Sequence, residues 1–384
     1  MSLARHAPAG RRVPRPALSP GRGTAPAQLW PGVGVRLFDS GTAALGHALR
    51  LAFAAAGTPP ESRVVLLPAY ACPNLAAASL WAGAKPRYYD LARNTLGPAP
   101  GALDDLQSAP NAVMVHVDAF GADTFPQQVT LSAGSRGRLV HDLAQSFAPY
   151  SSDWRPRFPF TVLSAGRAKP ASLTLGGVLL ISGDAAERDP AQYEDTPSVD
   201  VSAWKWAVRS AIYSLSLHPL VFGALARIPA LGIGQTRFSP LTDAVRLPER
   251  WLRIFGAAAA DVRDSFRVFT RQTAAMLQLA QDSGARLPVS ALQNQDRAPL
   301  WRVPVFCPTP ESAAALARRG GHLGISRLYC RPLPEIMGMA PAEVVARWPE
   351  AAWIAERLVT LPTHGRLGGR LENELRRLLE RHLR

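Results

Sequence analysis

The chain has 384 residues, 47% of them apolar and 19% charged, which excludes a wholly disordered polymer and allows one large domain, or a large and a small one, each with its own core. The net charge is +14, a basic balance that suits phosphorylated ligands, nucleic acid or anionic lipid, or serves solubility alone. The excess is diffuse arginine with no recognisable nucleic-acid reading motif, so a nucleic-acid module is not expected.

Residues 1–28 are rich in Arg, Pro, Gly and Ala, contain no acid and lack the apolar core of a signal peptide, so they predict a disordered basic tail. From Val35 to Ser182 the pattern alternates. "TAALGHALRLAFAAA" predicts a helix, "RVVLLP" a strand, "NLAAASLWAG" a helix and "PRYYDL" a strand. "NAVMVHVDAF", "RLVHDL", "FPFTVLS" and "GGVLLIS" predict four more strands. Strands alternating with helices predict an α/β sandwich with a mostly parallel sheet, whose ligands sit at the carboxyl ends of the strands. Ser40, Asp142 and Ser164 all fall where strands are expected to end.

Residues 200–235 interrupt this pattern. Ser210 to Ala226, 17 residues, carry no Lys, Arg, Asp or Glu and contain Pro219, too short for the ~20 apolar residues of a spanning helix. A pair of buried or dimer-interface helices is the first expectation. A membrane-surface helix is the second, because Lys205, Arg209 and Arg227 flank aromatic and aliphatic residues. A long helix is predicted over 249–284. A smaller α+β unit follows over 285–384, with "LWRVPVFC" as a strand and "ESAAALARRGG" and "ENELRRLLERHL" as helices. The large unit is then 29–248, with 200–235 as a helical insertion.

Cys72, Cys307 and Cys330 are scattered, with no CxxC spacing, which points to a reducing, cytoplasmic compartment. The eight histidines are dispersed, and HExxH, a P-loop and a complete GxGxxG are all missing, so no metal site is expected. The chain has only three lysines, Lys85, Lys169 and Lys205, among 43 basic residues. A retained lysine is informative where an amine must lose its proton, because arginine cannot.

Three segments together match the needs of a pyridoxal 5'-phosphate (PLP) enzyme: an imine-forming lysine, a carboxylate for the pyridinium nitrogen and a phosphate cup at a helix start. "DSGTAAL" places Ser40, Gly41 and Thr42 before a helix, either as a phosphate cup or as an ordinary helix cap. "RLVHDLAQSF" places Asp142 after an apolar strand with Gln145 three residues on. Asp142 is either a pyridinium partner or a cap. "FTVLSAGRAKPASLTLGGVLLIS" puts Ser164 and Lys169 between two strands, with Gly176 and Gly177 at a turn. A polar hairpin with a solvated lysine is the bland alternative.

The order and intervals of these segments resemble the PLP-dependent sugar aminotransferases of the DegT/DnrJ/EryC1/StrS type, within the fold type I transferases. The resemblance runs from Phe38 to Ile181 and resumes over 320–365. "VVLLPAYACPNLAAASLWAGAKPRYYDL", "VDAFG", "HDLAQS" and "RLVTLPTHGRL" are similar to family segments. The resemblance implies a large domain with a mostly parallel sheet, a smaller C-terminal domain, PLP as cofactor and a homodimer. It implies Lys169 as the imine-forming base and Asp142 as the pyridinium partner. Gln145 is implied on the ring hydroxyl side, and Gly41, Thr42 and Ser164 at the phosphate.

Cys72 stands where the family carries a ring-stacking aromatic, with Tyr70 two residues away as a substitute. Leu175 replaces the usual acid before Gly-Gly, and Arg246 is the remnant of a segment that reaches the partner subunit's phosphate. The implied activity is transfer of an amino group from glutamate to a nucleotide-linked keto-sugar, in surface polysaccharide or lipopolysaccharide biosynthesis. The alternatives are a fold type I reaction on a non-sugar substrate and a degenerate scaffold at the membrane.

Overall fold

Seven strands form one sheet: β1 (Gly34–Phe38), β2 (Val64–Pro68), β3 (Lys85–Tyr89), β4 (Ala112–Val117), β5 (Leu139–Asp142), β6 (Phe160–Ser164) and β7 (Gly177–Ile181). Their order is β1-β7-β6-β5-β4-β2-β3. The pairs from β3 through β6 are parallel, and β7 runs antiparallel to both β6 and β1. Reversing direction twice leaves β1 parallel to β6. The carboxyl ends of β1, β2, β4, β5 and β6 therefore open on one edge, where β7 begins. The computed structural model describes residues 26–183, 195–226, 236–293, 298–363 and 369–383, together with Ala185, Tyr193 and Ile228.

Helix α1 (Gly41–Ala55) starts where Ser40 caps it, its hydroxyl accepting from the Ala43 amide at 3.1 Å. Half of its ten buried residues are small, with Ala43, Ala44, Ala48 and Ala52 at 0% exposure, which lets the helix lie close on the sheet. With α2 (Asn74–Trp81) it covers Val65, Val113, Val140 and Val162 on one face of the sheet. The other face carries Leu37, Leu163, Val178 and Leu180 toward α5 and its buried Trp251, once α3 (Ala203–Ser216), α4 (Pro219–Leu225), α5 (Arg250–Asp264) and α6 (Phe266–Asp282) are counted in chain order. A second core surrounds the antiparallel pair β8 (Arg302–Phe306) and β9 (Leu358–Pro362), packed by α6, α7 (Pro310–Gly320) and the terminal α8 (Gly369–Leu383).

Three expectations change. The single helix over 249–284 is two helices broken at Ser265, whose backbone sits at φ −87° and ψ −1°. The halves serve different cores: Trp251, Phe255 and Val262 face the large sheet, while Met276, Leu277 and Ala280 face the small one. One straight rod does not reach both. Residues 1–25 lie outside the described residues, but Pro26–Leu29 form a helical turn where tail was expected. The next residue explains it: Trp30 stacks on Phe255 at 5.9 Å and donates its indole N–H to the Pro149 carbonyl at 2.8 Å. Finally, the helices α3 and α4 of the 200–235 stretch are not buried by the rest of this chain. Pro219 occupies the first turn of α4, where its missing N–H costs nothing. Arg227 and residues 229–235 lie outside the described residues, as do 364–368 of the late "LPTHGRL" segment.

Candidate active site

A cavity of about 580 Å³ opens at the shared strand edge. Ser40, Gly41, Thr42, Cys72, Asp142, Gln145, Ser164 and Lys169 all line it, so the structure brings together every residue singled out above as a catalytic or cofactor contact. Tyr70 and Leu175 line it too. Arg246 does not: its backbone bridges Phe38 and Ser198, and its guanidinium lies 5.6 Å from the Tyr193 ring of the same chain.

At one end the amino terminus of α1 meets Ser164. A Cβ placed on Gly41 would stand 3.0 Å from both Cβ and Oγ of Ser164, so glycine lets the helix start and the serine close on one another. Beside them Gly177 faces the Ser40 carbonyl, which an added Cβ would meet deep inside van der Waals contact. A helix start with inward amides next to a hydroxyl is a ready anion cup.

Deeper in, Asp142 ends β5. One carboxylate oxygen accepts from the Ala144 amide at 2.9 Å. Burial pushes its pKa up, against the pull of that amide and of the charges on Lys169 and His141. Gln145 is pinned from both sides: its carbonyl accepts from the Phe120 amide at 2.8 Å, and its amide donates to the Tyr329 hydroxyl at 3.0 Å. Tyr329 packs edge-on against Tyr70 at 5.4 Å. Burial raises the Cys72 thiol, which keeps it protonated.

Lys169 sits on the loop between β6 and β7, its ammonium 5.3 Å from the Trp301 ring centre. The residue before it is gripped twice. The Ala168 amide donates to the Tyr213 hydroxyl at 2.9 Å, and its carbonyl accepts from the Trp301 indole at 2.7 Å. Ala168 holds φ +64°, a conformation that costs a non-glycine residue about 1–2 kcal/mol. Phe120 (φ +60°) and Thr174 (φ +67°) on the cavity wall share it. Strain of this kind persists only where surrounding contacts over-determine the backbone.

Sequence reasoning missed Tyr213, Trp301 and Tyr329, which come from α3, the small sheet's edge and the loop before 333. None is near Lys169 in the chain, and none carries a spacing signal. It also missed the meeting of two dispersed histidines. His116 and His141 are paired positions on β4 and β5, and their Nε2 atoms lie 3.1 and 3.3 Å from one oxygen of buried Asp118. These three residues offer ligand-type atoms within 4.8 Å of each other, where the dispersed histidines had suggested none. Burial alone would raise the Asp118 carboxyl, but the two imidazoles outweigh it and hold the group below the ordinary carboxylate value.

The fold is that of the PLP-dependent aminotransferases of fold type I. AtS13 from Actinomadura melliaura superposes with a TM-score of 0.61 at 16% identity, over 98% of this chain and 99% of that one. A DegT DnrJ EryC1 StrS aminotransferase from Brucella abortus matches with a TM-score of 0.54 at 15% identity, over 90% of this chain and 84% of that one. Spr1654 from Streptococcus pneumoniae, described as a sugar aminotransferase and solved in apo, PMP and PLP forms, matches in its PLP form with a TM-score of 0.58 at 16% identity, over 90% of this chain and 86% of that one. No protein-family model matches the sequence, and no curated protein matches it.

Proposed function

We propose that this protein is a PLP-dependent aminotransferase that moves an amino group from glutamate to a nucleotide-linked keto-sugar, for surface polysaccharide or lipopolysaccharide assembly. One observation carries the reading: Lys169, Asp142 and the cup formed by α1 and Ser164 line a single cavity. The residues present fit the cofactor. The close approach of Gly41 to Ser164 leaves helix amides and a hydroxyl for the phosphate, and Asp142, whose ionised form burial disfavours, is a carboxyl for which a pyridinium nitrogen would supply the partner charge. The similarity to a protein solved with PLP and PMP supports the same assignment.

When bound, PLP supplies the electron sink that lets an amino group leave one carbon and enter another. The chain does the rest. Ser40, Gly41, Thr42 and Ser164 would hold the phosphate and so fix the cofactor's position. Asp142 would be the carboxyl that partners the ring nitrogen. Gln145, locked by Phe120 and Tyr329, would form the wall on the ring hydroxyl side. Cys72 or, in its place, Tyr70 would lie against the ring face; both line the cavity. Lys169 would serve as the general base that moves the donor's proton, a role that an arginine cannot fill. Tyr213 and Trp301 hold the Lys169 loop through Ala168. The enzyme works as a cytoplasmic homodimer.

The test is spectroscopic and chemical. Purified protein with added PLP should gain the absorption band of lysine-bound cofactor, and glutamate should remove it with release of 2-oxoglutarate. Steady turnover should require a nucleotide keto-sugar. Lys169→Ala, folded as judged by circular dichroism, should lack both band and turnover. A Lys169→Ala protein that keeps either would refute the assignment. Cofactor binding and glutamate deamination without turnover on any sugar nucleotide would select the non-sugar reading that Cys72 motivates.

A further inference from the structure

We propose that the outward face of α3 docks on an anionic lipid bilayer, placing the mouth of the active-site cavity at the membrane surface. Helix α3 has an unusual arrangement. Its inner side is anchored: Trp206 is buried edge-on against Trp251 at 5.2 Å and donates its indole N–H to the Leu173 carbonyl at 2.8 Å. Ser210 is buried beside it. The outer side is where a surface helix normally places charge. Here it carries Trp204 (68% exposed), Val208 (40%), Ile212 (64%) and Leu215 (65%). Spaced by four, four and three residues, these form one stripe along a helix about 21 Å long. Among the described residues they make up four of the ten exposed large hydrophobic side chains. An apolar stripe of this length in water is a site of association.

Charge selects the occupant. Between Asp200 and Asp243 the sequence has no acidic residue, and it contains Lys205, Arg209, Arg227 and Arg237. Lys205 and Arg209 lie along one flank of the stripe and are exposed. A tryptophan and aliphatic residues outward, with cations at the flank, is the composition of helices that lie in the headgroup layer, buried about 5–10 Å. A second copy is the poorer occupant. Twofold packing of α3 on α3 would bring two sets of Lys205 and Arg209 together with no acid of this segment between them, on a chain already at +14. No described helix is long and apolar enough to cross a membrane, so the contact is peripheral.

The face is coupled to the site by position. Val201 and Arg209 line the cavity, and Tyr213 of α3 holds the loop of Lys169. A protein docked through Trp204 and Leu215 therefore presents its cavity beside the lipid. The docking claim rests on the surface alone and is independent of the proposed reaction.

The experiment is flotation of the full-length protein with vesicles of phosphatidylcholine alone and of phosphatidylcholine containing about one-third phosphatidylglycerol. The wild type should partition to the anionic vesicles at least tenfold more strongly than to the neutral ones, less so in high salt. The triple variant Trp204→Ser, Ile212→Ser, Leu215→Ser should lose at least tenfold of this binding. It should keep its circular dichroism spectrum and melting temperature, since the three side chains are exposed. Lys205→Glu should weaken binding to anionic vesicles and leave the weak neutral binding unchanged. Two results would overturn the proposal. One is wild-type protein that floats with neither vesicle. The other is a triple variant that floats as wild type does. A triple variant that turns a wild-type dimer into a monomer, with no vesicle binding by either, would also overturn it and assign the face to a second copy.

Discussion

Gly176 and Gly177 are adjacent in the chain but are glycine for different reasons, and alanine at each should separate them. At Gly177 a Cβ would overlap the Ser40 carbonyl oxygen and stand 2.6 Å from the Gly41 Cα, against ordinary contact of 3.4 Å or more. Both obstacles are backbone, so no side chain can swing aside. Start of β7 and start of α1 would have to separate by about 1 Å in a close-packed interior. Overpacking of this kind costs about 1–3 kcal/mol, and two backbones in contact place it at or above the upper end. At Gly176 the nearest atom to an added Cβ is 3.6 Å away, so space is free, but the backbone has φ +101°. Alanine there pays only conformational strain, about 1–2 kcal/mol. Urea unfolding should therefore rank Gly177→Ala below Gly176→Ala in midpoint at similar slope. PLP affinity should fall at least about tenfold for Gly177→Ala, because the cup itself is displaced, a loss of about 1.4 kcal/mol or more. It should change only slightly for Gly176→Ala. Equal midpoints together with equal PLP affinities would show that the contact between Ser40 and Gly177 does not shape the cup.

Other substitutions probe separate features. Tyr213→Phe removes the acceptor for the Ala168 amide and should lower kcat more than it raises KM, with the cofactor still bound; an unchanged kcat would mean that the loop is held without it. Asp118→Ala strips buried His116 and the Thr124 amide of a shared acceptor, at about 1–3 kcal/mol for each group left unpaired, read as a lower urea midpoint. His47 is buried against Phe38 at 4.4 Å, and burial pulls its pKa from 6.5 down to about 4. Between those values the unfolded chain binds a proton that the folded one refuses. Stability is therefore full above pH 6.5 and falls as pH drops toward 4, by roughly 3 kcal/mol at most. Chemical unfolding at pH 7.5 and pH 5 should reveal this loss, and His47→Leu should reduce it; an equal loss in the variant would place the effect elsewhere.

The sequence by itself marked six of the seven strands of the large sheet, with no segment named for β1. Apolar runs separated by turn residues mark β2, β5 and β6 within a residue or two and β4 within three, because a strand buried on both faces must be apolar along its length. It also placed Ser40, Asp142 and Ser164 at strand ends, and in a parallel sheet all such ends lie on one edge, so local pattern was enough to gather them with Lys169. Only the tertiary structure decided what no local pattern encodes. Tyr329 reaches the cavity, and Tyr213 and Trp301 reach the loop of Lys169, from elements 44 to 160 residues beyond Lys169, along paths set by how two cores pack. The helix over 250–282 breaks at Ser265 because each half answers to a different core, not because its residues disfavour helix. The face of α3 that meets solvent was likewise undetermined, since both of its sides are apolar. Which side turned inward was settled when Trp206 found Trp251, and that choice left the stripe from Trp204 to Leu215 outside.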